Sequence, residues 1–259
     1  MSAAPALAGK HALVTGASRG IGAAIARALA ADGARVSLLA RDGGGLGRLA
    51  QELGAERALG VITDVSDAAA VAQAFTRARQ RFGGVHILIN NAGQAVSAKF
   101  TDTDASLWNR ILAVNLTGCY LCAQQAVPDM LQLGYGRMVN IASIAGLRGA
   151  AYISAYVASK HGVIGLTRAL ALEYAARNLT VNAVCPGYVN TDIVKNAIAT
   201  IRARTGRSES EALAALIATN PQRRLIEPEE VAHAVLWLCR PGAESITGQS
   251  IILSGGEVS

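Results

Sequence analysis

Tyr156 and Lys160 stand four residues apart in Ala155-Tyr156-Val157-Ala158-Ser159-Lys160-His161, with Ser143 thirteen residues upstream of the tyrosine. The continuation through Leu172 predicts a helix, and on a helix this spacing puts phenol and ammonium on one face, where the cation can stabilise a phenolate near neutral pH. A phenol so tuned can act as a general acid or base. Taken alone, a Tyr and a Lys four apart read as an ordinary amphipathic pair. A second stretch changes that reading: Thr15-Gly16-Ala17-Ser18-Arg19-Gly20-Ile21-Gly22 follows a predicted strand and opens a predicted helix. Its glycines let backbone approach a ligand and helix approach strand, and free N–H groups at the positive helix end hold a pyrophosphate. Gly16, Ser18, Arg19, Gly20, Ile21 and Gly22 are therefore candidate dinucleotide contacts, and the combination with Tyr156, Lys160 and Ser143 points to hydride transfer.

The second predicted strand ends in Leu39-Ala40-Arg41-Asp42, where a carboxylate would normally accept hydrogen bonds from a free ribose 2′-hydroxyl. Ala40 cannot do so, whereas Arg41, with Arg19 arriving from the glycine turn, can clamp a 2′-phosphate by charge-assisted hydrogen bonds. NADP(H) is favoured. NAD(H) stays open if both arginines are solvated surface residues and Asp42 or a shifted backbone admits the hydroxyl. Asp64-Val65 and Asn90-Asn91-Ala92-Gly93 lie at the carboxyl ends of the third and fourth predicted strands, where a doubly wound fold places its ligand. This makes Asp64, Val65, Asn91, Ala92 and Gly93 cofactor candidates, and Asn90 is assigned both a cofactor contact and a tie between strands.

The elements that must position these residues alternate. Short aliphatic runs at His11–Thr15, Arg35–Ala40, Ala58–Thr63, His86–Asn90, Gly136–Ala142, Thr180–Cys185 and Ser250–Leu253 read as strands. Gly20–Ala31, Asp67–Phe82, Ser106–Leu133, Ser154–Ala176 and Glu229–Cys239 read as helices, with starts marked by Asp67, by Ser154 and by Pro228 before two glutamates. The expected fold is α/β: a doubly wound Rossmann-type parallel seven-stranded sheet with helices on both faces. Residues 1–259 form one dinucleotide-binding catalytic domain, and 191–227, helical in composition between Pro186-Gly187 and Pro221, is expected as a two-helix lid over the substrate site. A plain helical hairpin packed on the body is the alternative.

With 259 residues, 51% apolar and 16% charged, the chain can bury a substantial core in one large domain. The formal charge of +6 comes from scattered basic residues with no run of five, which argues against nucleic acid and fits an anionic cofactor or a solvated surface. Cys119, Cys122, Cys185 and Cys239 are too few and too spread for a disulfide framework, so reduced, cytoplasmic thiols are expected. Cys119-x-x-Cys122 has the spacing of a redox or zinc pair, but its apolar helical surroundings suit buried small hydrophobes better. His11, His86, His161 and His233 have no ligand spacing, and no metal is expected. Neither a signal peptide nor a membrane-spanning apolar run is visible, so a soluble protein is expected.

The ordered set Thr15-Gly-x-x-x-Gly-x-Gly22, Asp64, Asn90-Asn-Ala-Gly93, Asn115, Ser143, Tyr156-x-x-x-Lys160 and Pro186-Gly187 resembles the short-chain dehydrogenase/reductase family from Lys10 to Gly256. The wording around Ser143 and Tyr156 is most similar to 3-oxoacyl-thioester reductases. The resemblance implies that Tyr156 exchanges the proton with the substrate oxygen, that Ser143 hydrogen-bonds that oxygen, and that Lys160 holds the nicotinamide ribose and lowers the Tyr156 pKa. It implies that Asn115 holds a water in a proton relay with Lys160, and that Pro186, Gly187, Val189 and Thr191 border the nicotinamide. The implied reaction is NADP(H)-dependent reduction of a 3-oxoacyl thioester carried by CoA or acyl carrier protein. Similar wording occurs in 3-hydroxybutyrate and cyclic hydroxyacyl-CoA dehydrogenases, which often use NAD(H). A noncatalytic dinucleotide sensor would usually lose Tyr156, Lys160 or Ser143. Pocket candidates are Gln94, 145–152, 188–191 and the lid; Arg148, Lys195, Arg202, Arg204 and Arg207 could attract an anionic group, though solvated helix faces explain them as well. The family resemblance and the apolar faces of the helices at 106–133 and 154–176 imply a homotetramer packed through them.

Overall fold

Seven aliphatic segments, β1 (His11–Thr15), β2 (Arg35–Ala40), β3 (Ala58–Ile62), β4 (Ile87–Asn90), β5 (Gly136–Ile141), β6 (Leu179–Pro186) and β7 (Ser250–Leu253), pair into one parallel sheet of order β3-β2-β1-β4-β5-β6-β7. The computed structural model describes residues 5–258. Every residue of β1, β4, β5 and β6 is buried, as required of parallel strands covered on both faces. Alternate side chains go to opposite layers: Ala12, Val14, Val36 and Leu38 join one core with α1 (Gly20–Ala31), α2 (Gly43–Leu53) and α9 (Pro228–Cys239). Leu13, Leu39, Leu88 and Met138 join the other with α3 (Ala68–Phe82) and α5 (Gly118–Leu133). The doubly wound Rossmann-type architecture read from the sequence is the one observed.

Local chemistry explains most helix starts. Asp67 caps α3 by accepting from the Ala69 and Ala70 N–H groups, and Pro228 opens α9 behind a Glu227/Glu230 capping box. Two elements differ from expectation. α2 was not anticipated, because four glycines among its first five residues disfavour a helix; the Asp42 cap and burial of Leu46 and Leu49 override that preference. The single helix expected over Ser106–Leu133 is α4 (Ala105–Leu112) and α5 joined through a π-helical turn at Ala113–Thr117. Beyond β6, α7 (Asp192–Thr205) and α8 (Glu209–Leu216) fill the segment where two helices were expected.

A polar chain threads the sheet beneath α6 (Ser154–Tyr174). Asn90 Nδ2 donates to Asn140 Oδ1 at 2.9 Å, and Asn140 Nδ2 donates to Thr167 Oγ1 at 2.9 Å. It fixes β4, β5 and α6 relative to one another, and thereby fixes the helix that carries Tyr156 and Lys160. This is the strand-tying half of the role expected for Asn90.

Candidate active site

The chain reverses direction across the sheet between β1 and β4, and a cleft of about 850 Å³ opens at their carboxyl ends. Gly16, Ser18, Arg19, Gly20, Ile21, Arg41, Asp64, Val65, Asn91, Ala92, Gly93 and Thr191 line it. Gly16 and Gly20 have φ of +65° and +54°, a region only glycine enters freely, and a Cβ on Gly22 would overlap the Gly16 carbonyl oxygen. Thr15 Oγ1 accepts from the Asn91 and Ala92 N–H groups at 2.9 and 3.0 Å, and Asn91 Nδ2 returns a bond to the Thr15 carbonyl at 2.9 Å. The Asn91 side chain therefore braces the glycine turn. These backbone constraints leave a concave glycine turn at the start of α1, which fits a dinucleotide pyrophosphate.

Two arginines stand at one end of the cleft, each beside a carboxylate. Arg19 and Arg41 are exposed, Arg19 pairing with Asp192 at 3.1 Å and Arg41 lying 4.0 Å from Asp64. Hydrogen bonds from the Ser66 hydroxyl and N–H, with Arg41 nearby, lower the Asp64 pKa from its ordinary value. Asp42, also on the cleft wall, accepts from the Gly45 N–H at 3.0 Å through Oδ1 as the α2 cap. Asp192 and Thr63, both on the cleft wall, were missed by sequence reasoning. Asp192 reaches Arg19 only through the tertiary fold, so no local pattern marks it.

Deeper in, Tyr156, Lys160 and Ser143 converge from α6 and the end of β5. Lys160 is buried, its Nζ donating to the Ile141 carbonyl at 2.7 Å and lying 5.6 Å from the Tyr156 ring centre. Burial lowers its pKa to about 8. The expected depression of the Tyr156 pKa by Lys160 is not what this arrangement gives: burial raises it, with the Ser143 hydroxyl acting in the opposite direction. The ammonium donates to the Ile141 carbonyl instead. Ser143 Oγ also accepts from the Ala145 N–H at 3.1 Å, fixing the turn that follows β5.

Asn115 sits in the π-turn, buried. Its Oδ1 accepts from the Gln94 N–H at 2.9 Å, and its Nδ2 donates to the Gln94 carbonyl and to Ser159 Oγ, both at 3.0 Å. Asn115 also borders a cavity of about 10 Å³ with Asn90, Cys119 and Ile141, room for about one water. Pro186 ends β6 and Gly187 follows it, the Gly187 N–H donating to the Leu253 carbonyl at 2.8 Å, and Val189 is buried behind the cleft wall. Thr191 packs against Gly20 and precedes α7, so the segment after β6 meets the glycine turn. Cys119 and Cys122 are buried with their thiols pushed up by burial, Cys119 to about 12, which fits small hydrophobes. No described helix is long and apolar enough to cross a membrane.

The short chain dehydrogenase family model matches residues 10–202. D-beta-hydroxybutyrate dehydrogenase of Rhizobium meliloti is 37% identical, over 95% of this chain and 98% of its own. 3-Oxoacyl-[acyl-carrier-protein] reductase of Vibrio harveyi is 36% identical, over 96% and 98%. A tryptophan variant of actinorhodin polyketide ketoreductase, solved with NADPH, superposes with a TM-score of 0.92 at 38% identity, covering 96% of this chain and 97% of that one. The glycine turn, the Ser143, Tyr156 and Lys160 cluster and these matches agree, and the chain is an oxidoreductase belonging to the short chain dehydrogenase family.

Proposed function

We propose that this protein is an NADP(H)-dependent ketoreductase that reduces a 3-oxoacyl thioester to the 3-hydroxyacyl form. The observation that carries the reaction class is the buried Lys160 ammonium 5.6 Å from the Tyr156 ring centre and beside Gly93 of the dinucleotide cleft, where a Cβ would stand 3.7 Å from its Nζ. Gly16 to Gly22, Asp64, Val65 and Asn91 to Gly93 would hold the dinucleotide, with Arg19 and Arg41 at its 2′-phosphate and Pro186, Gly187, Val189, Thr191 and Lys160 about its nicotinamide end. Bound there, the nicotinamide supplies the hydride for the carbonyl carbon. Ser143 donates a hydrogen bond to the carbonyl oxygen and stabilises the charge that develops there. Tyr156 gives that oxygen its proton. Lys160, its pKa about 8, carries an ammonium at neutral pH that steadies the phenolate Tyr156 leaves, and the small cavity beside Asn115 has room for the water that would return the proton.

Arg41 at the tip of β2 supports NADP(H) over NAD(H), since its exposed guanidinium lines the cleft where a 2′-phosphate would lie. NADPH in the ketoreductase structure agrees. A second reading, dehydrogenation of a 3-hydroxy acid, is favoured by the similarity to D-beta-hydroxybutyrate dehydrogenase. Parallel turnover of acetoacetyl-CoA with NADPH and NADH, and of 3-hydroxybutyrate with NAD+, tests the choice: NADPH-dependent reduction supports the first reading, and activity with NAD+ and 3-hydroxybutyrate alone supports the second. α7 and α8 are the proposed lid. Exposure of Tyr120 on α5 and Leu172 on α6 supports a homotetramer packed through those helices, which sedimentation would reveal as a species of four chains.

A further inference from the structure

Glu257, after β7, has a side chain only 1% exposed. Its Oε1 accepts from Arg148 Nη2 and, at 2.6 Å, from Thr219 Oγ1. Its Oε2 is buried without a hydrogen-bond partner among the described residues. A half-satisfied buried carboxylate is costly and stable structures rarely keep one. Here it joins three segments around the inner site. Arg148 lies on the turn that Ser143 starts, its N–H donating to the Ile144 carbonyl at 3.2 Å. Thr219 follows α8, and Oε2 faces Gly187, where a Cβ would stand 3.6 Å away. Glu257 and Arg148 act oppositely on the phenol of Tyr188, which packs against Val194 and Ile198 of α7. The pair therefore stands between the Ser143 turn, the start of the proposed lid and the Pro186-Gly187 corner.

We infer that Glu257 is a specificity-determining residue: by holding and neutralising Arg148 it keeps this wall of the carbonyl site without net charge, so the site selects uncharged ketones and thioesters over free oxo acids. This rests on the ketoreductase reading and sharpens it. Arg148 was a candidate anion attractor in the sequence; in the fold its cation is matched by a buried acid from far along the chain. Only Glu257 is shut off from water, Arg148 keeping 43% of its side chain exposed, so the charge left by removing either partner is partly screened yet still acts on an anion bound within a few ångströms.

The test compares dissociation constants of butyrate and of its uncharged isostere butyramide for the NADP+-loaded protein, beside kcat/KM for acetoacetate and for the uncharged thioester acetoacetyl-N-acetylcysteamine. Glu257→Gln frees the Arg148 charge and is expected to tighten butyrate about tenfold, leaving butyramide unchanged. It should raise the acetoacetate-to-thioester kcat/KM ratio by a similar factor. Arg148→Gln leaves the acid unmatched and is expected to weaken butyrate against butyramide several-fold. It therefore keeps the question decidable if Glu257→Gln fails to fold. Opposite shifts in the two variants support the inference; an unchanged butyrate-to-butyramide ratio in either folded variant overturns it, even where melting temperature falls. Opposite binding shifts without turnover of any of these compounds would overturn the ketoreductase reading and leave the charge-matched wall standing. Turnover with unchanged ratios would do the reverse.

Discussion

Lys160 is 4% exposed, and burial brings its pKa from 10.5 to about 8. The sign follows from linkage: between about 8 and 10.5 the unfolded chain binds a proton that the native protein lacks, so stability rises with pH there and is lowest below about 8. Holding this ammonium at pH 7 costs about 3 kcal/mol, and losing its bond to the Ile141 carbonyl would return about 1 kcal/mol of that. Lys160→Met should thus stabilise the protein by about 2 kcal/mol, a rise of about 5 °C in melting temperature at pH 7 that shrinks toward pH 10, while turnover is lost. Thermal melts at three pH values check this; a variant less stable than wild type at pH 7 contradicts it. Tyr156→Phe removes only the proposed proton donor. It should lower kcat about 10³-fold with NADPH affinity within about threefold, and retained turnover would show that Tyr156 is not the acid.

The parts of the site carried by one element or one strand-to-helix turn were legible in the sequence: the i, i+4 spacing on α6 and the glycine turn after β1 declare themselves locally. The π-turn that aims Asn115 at Gln94 and Ser159 was not, because nothing in Ala113–Thr117 departs from an ordinary helical sequence and its cause is packing against the loop after β4 and α6. Helix α2 was hidden by its glycines, and the Arg19–Asp192 pair by separation along the chain. That pair bears on motion. Val194, Ile198 and Ala212 of α7 and α8 form a small cluster with Tyr188, separate from the two sheet cores, so the opening that the proposed lid requires would leave those cores packed. Trypsin should cut at exposed Lys195, Arg202, Arg204 or Arg207 several-fold more slowly with NADPH bound. Asp192→Asn, which unties α7 from the glycine turn, should speed cleavage without ligand yet leave the melting temperature within about 2 °C, since an exposed pair contributes about 1 kcal/mol or less. Equal cleavage with and without NADPH would mean a fixed helical hairpin.

Across the whole molecule the two edges of the sheet do different work. The carboxyl edge carries the proposed chemistry, and the amino edge carries two histidines to which that proposal gives no part. His11, at the start of β1, is fully buried, its Nδ1 2.8 Å from the Gly83 carbonyl and its Nε2 2.8 Å from Ser37 Oγ. The His11 N–H donates to His86 Nδ1 at 3.2 Å, a bond that protonation of that nitrogen would break. Burial lowers the His11 pKa from 6.5 to about 4 and also lowers that of His86, with Lys10 adding to the effect. Both rings are therefore neutral in the native protein at pH values where they are charged in the unfolded chain. Stability is fully present above about 6.5 and is lost as pH falls toward 4, with His11 alone accounting for about 3 kcal/mol. The chain is already at +6 at neutral pH, so each added proton is also taken up against net repulsion. Urea midpoints at pH 7, 6, 5 and 4.5 should therefore fall steeply below 6.5 in the wild type and less steeply in His11→Asn, whose midpoint at pH 7 is lower because the amide fills the site poorly. Since these groups lie across the sheet from the cleft, NADPH affinity of the folded protein should follow the same pH dependence in both proteins; identical acid slopes in the urea series would locate the acid sensitivity elsewhere.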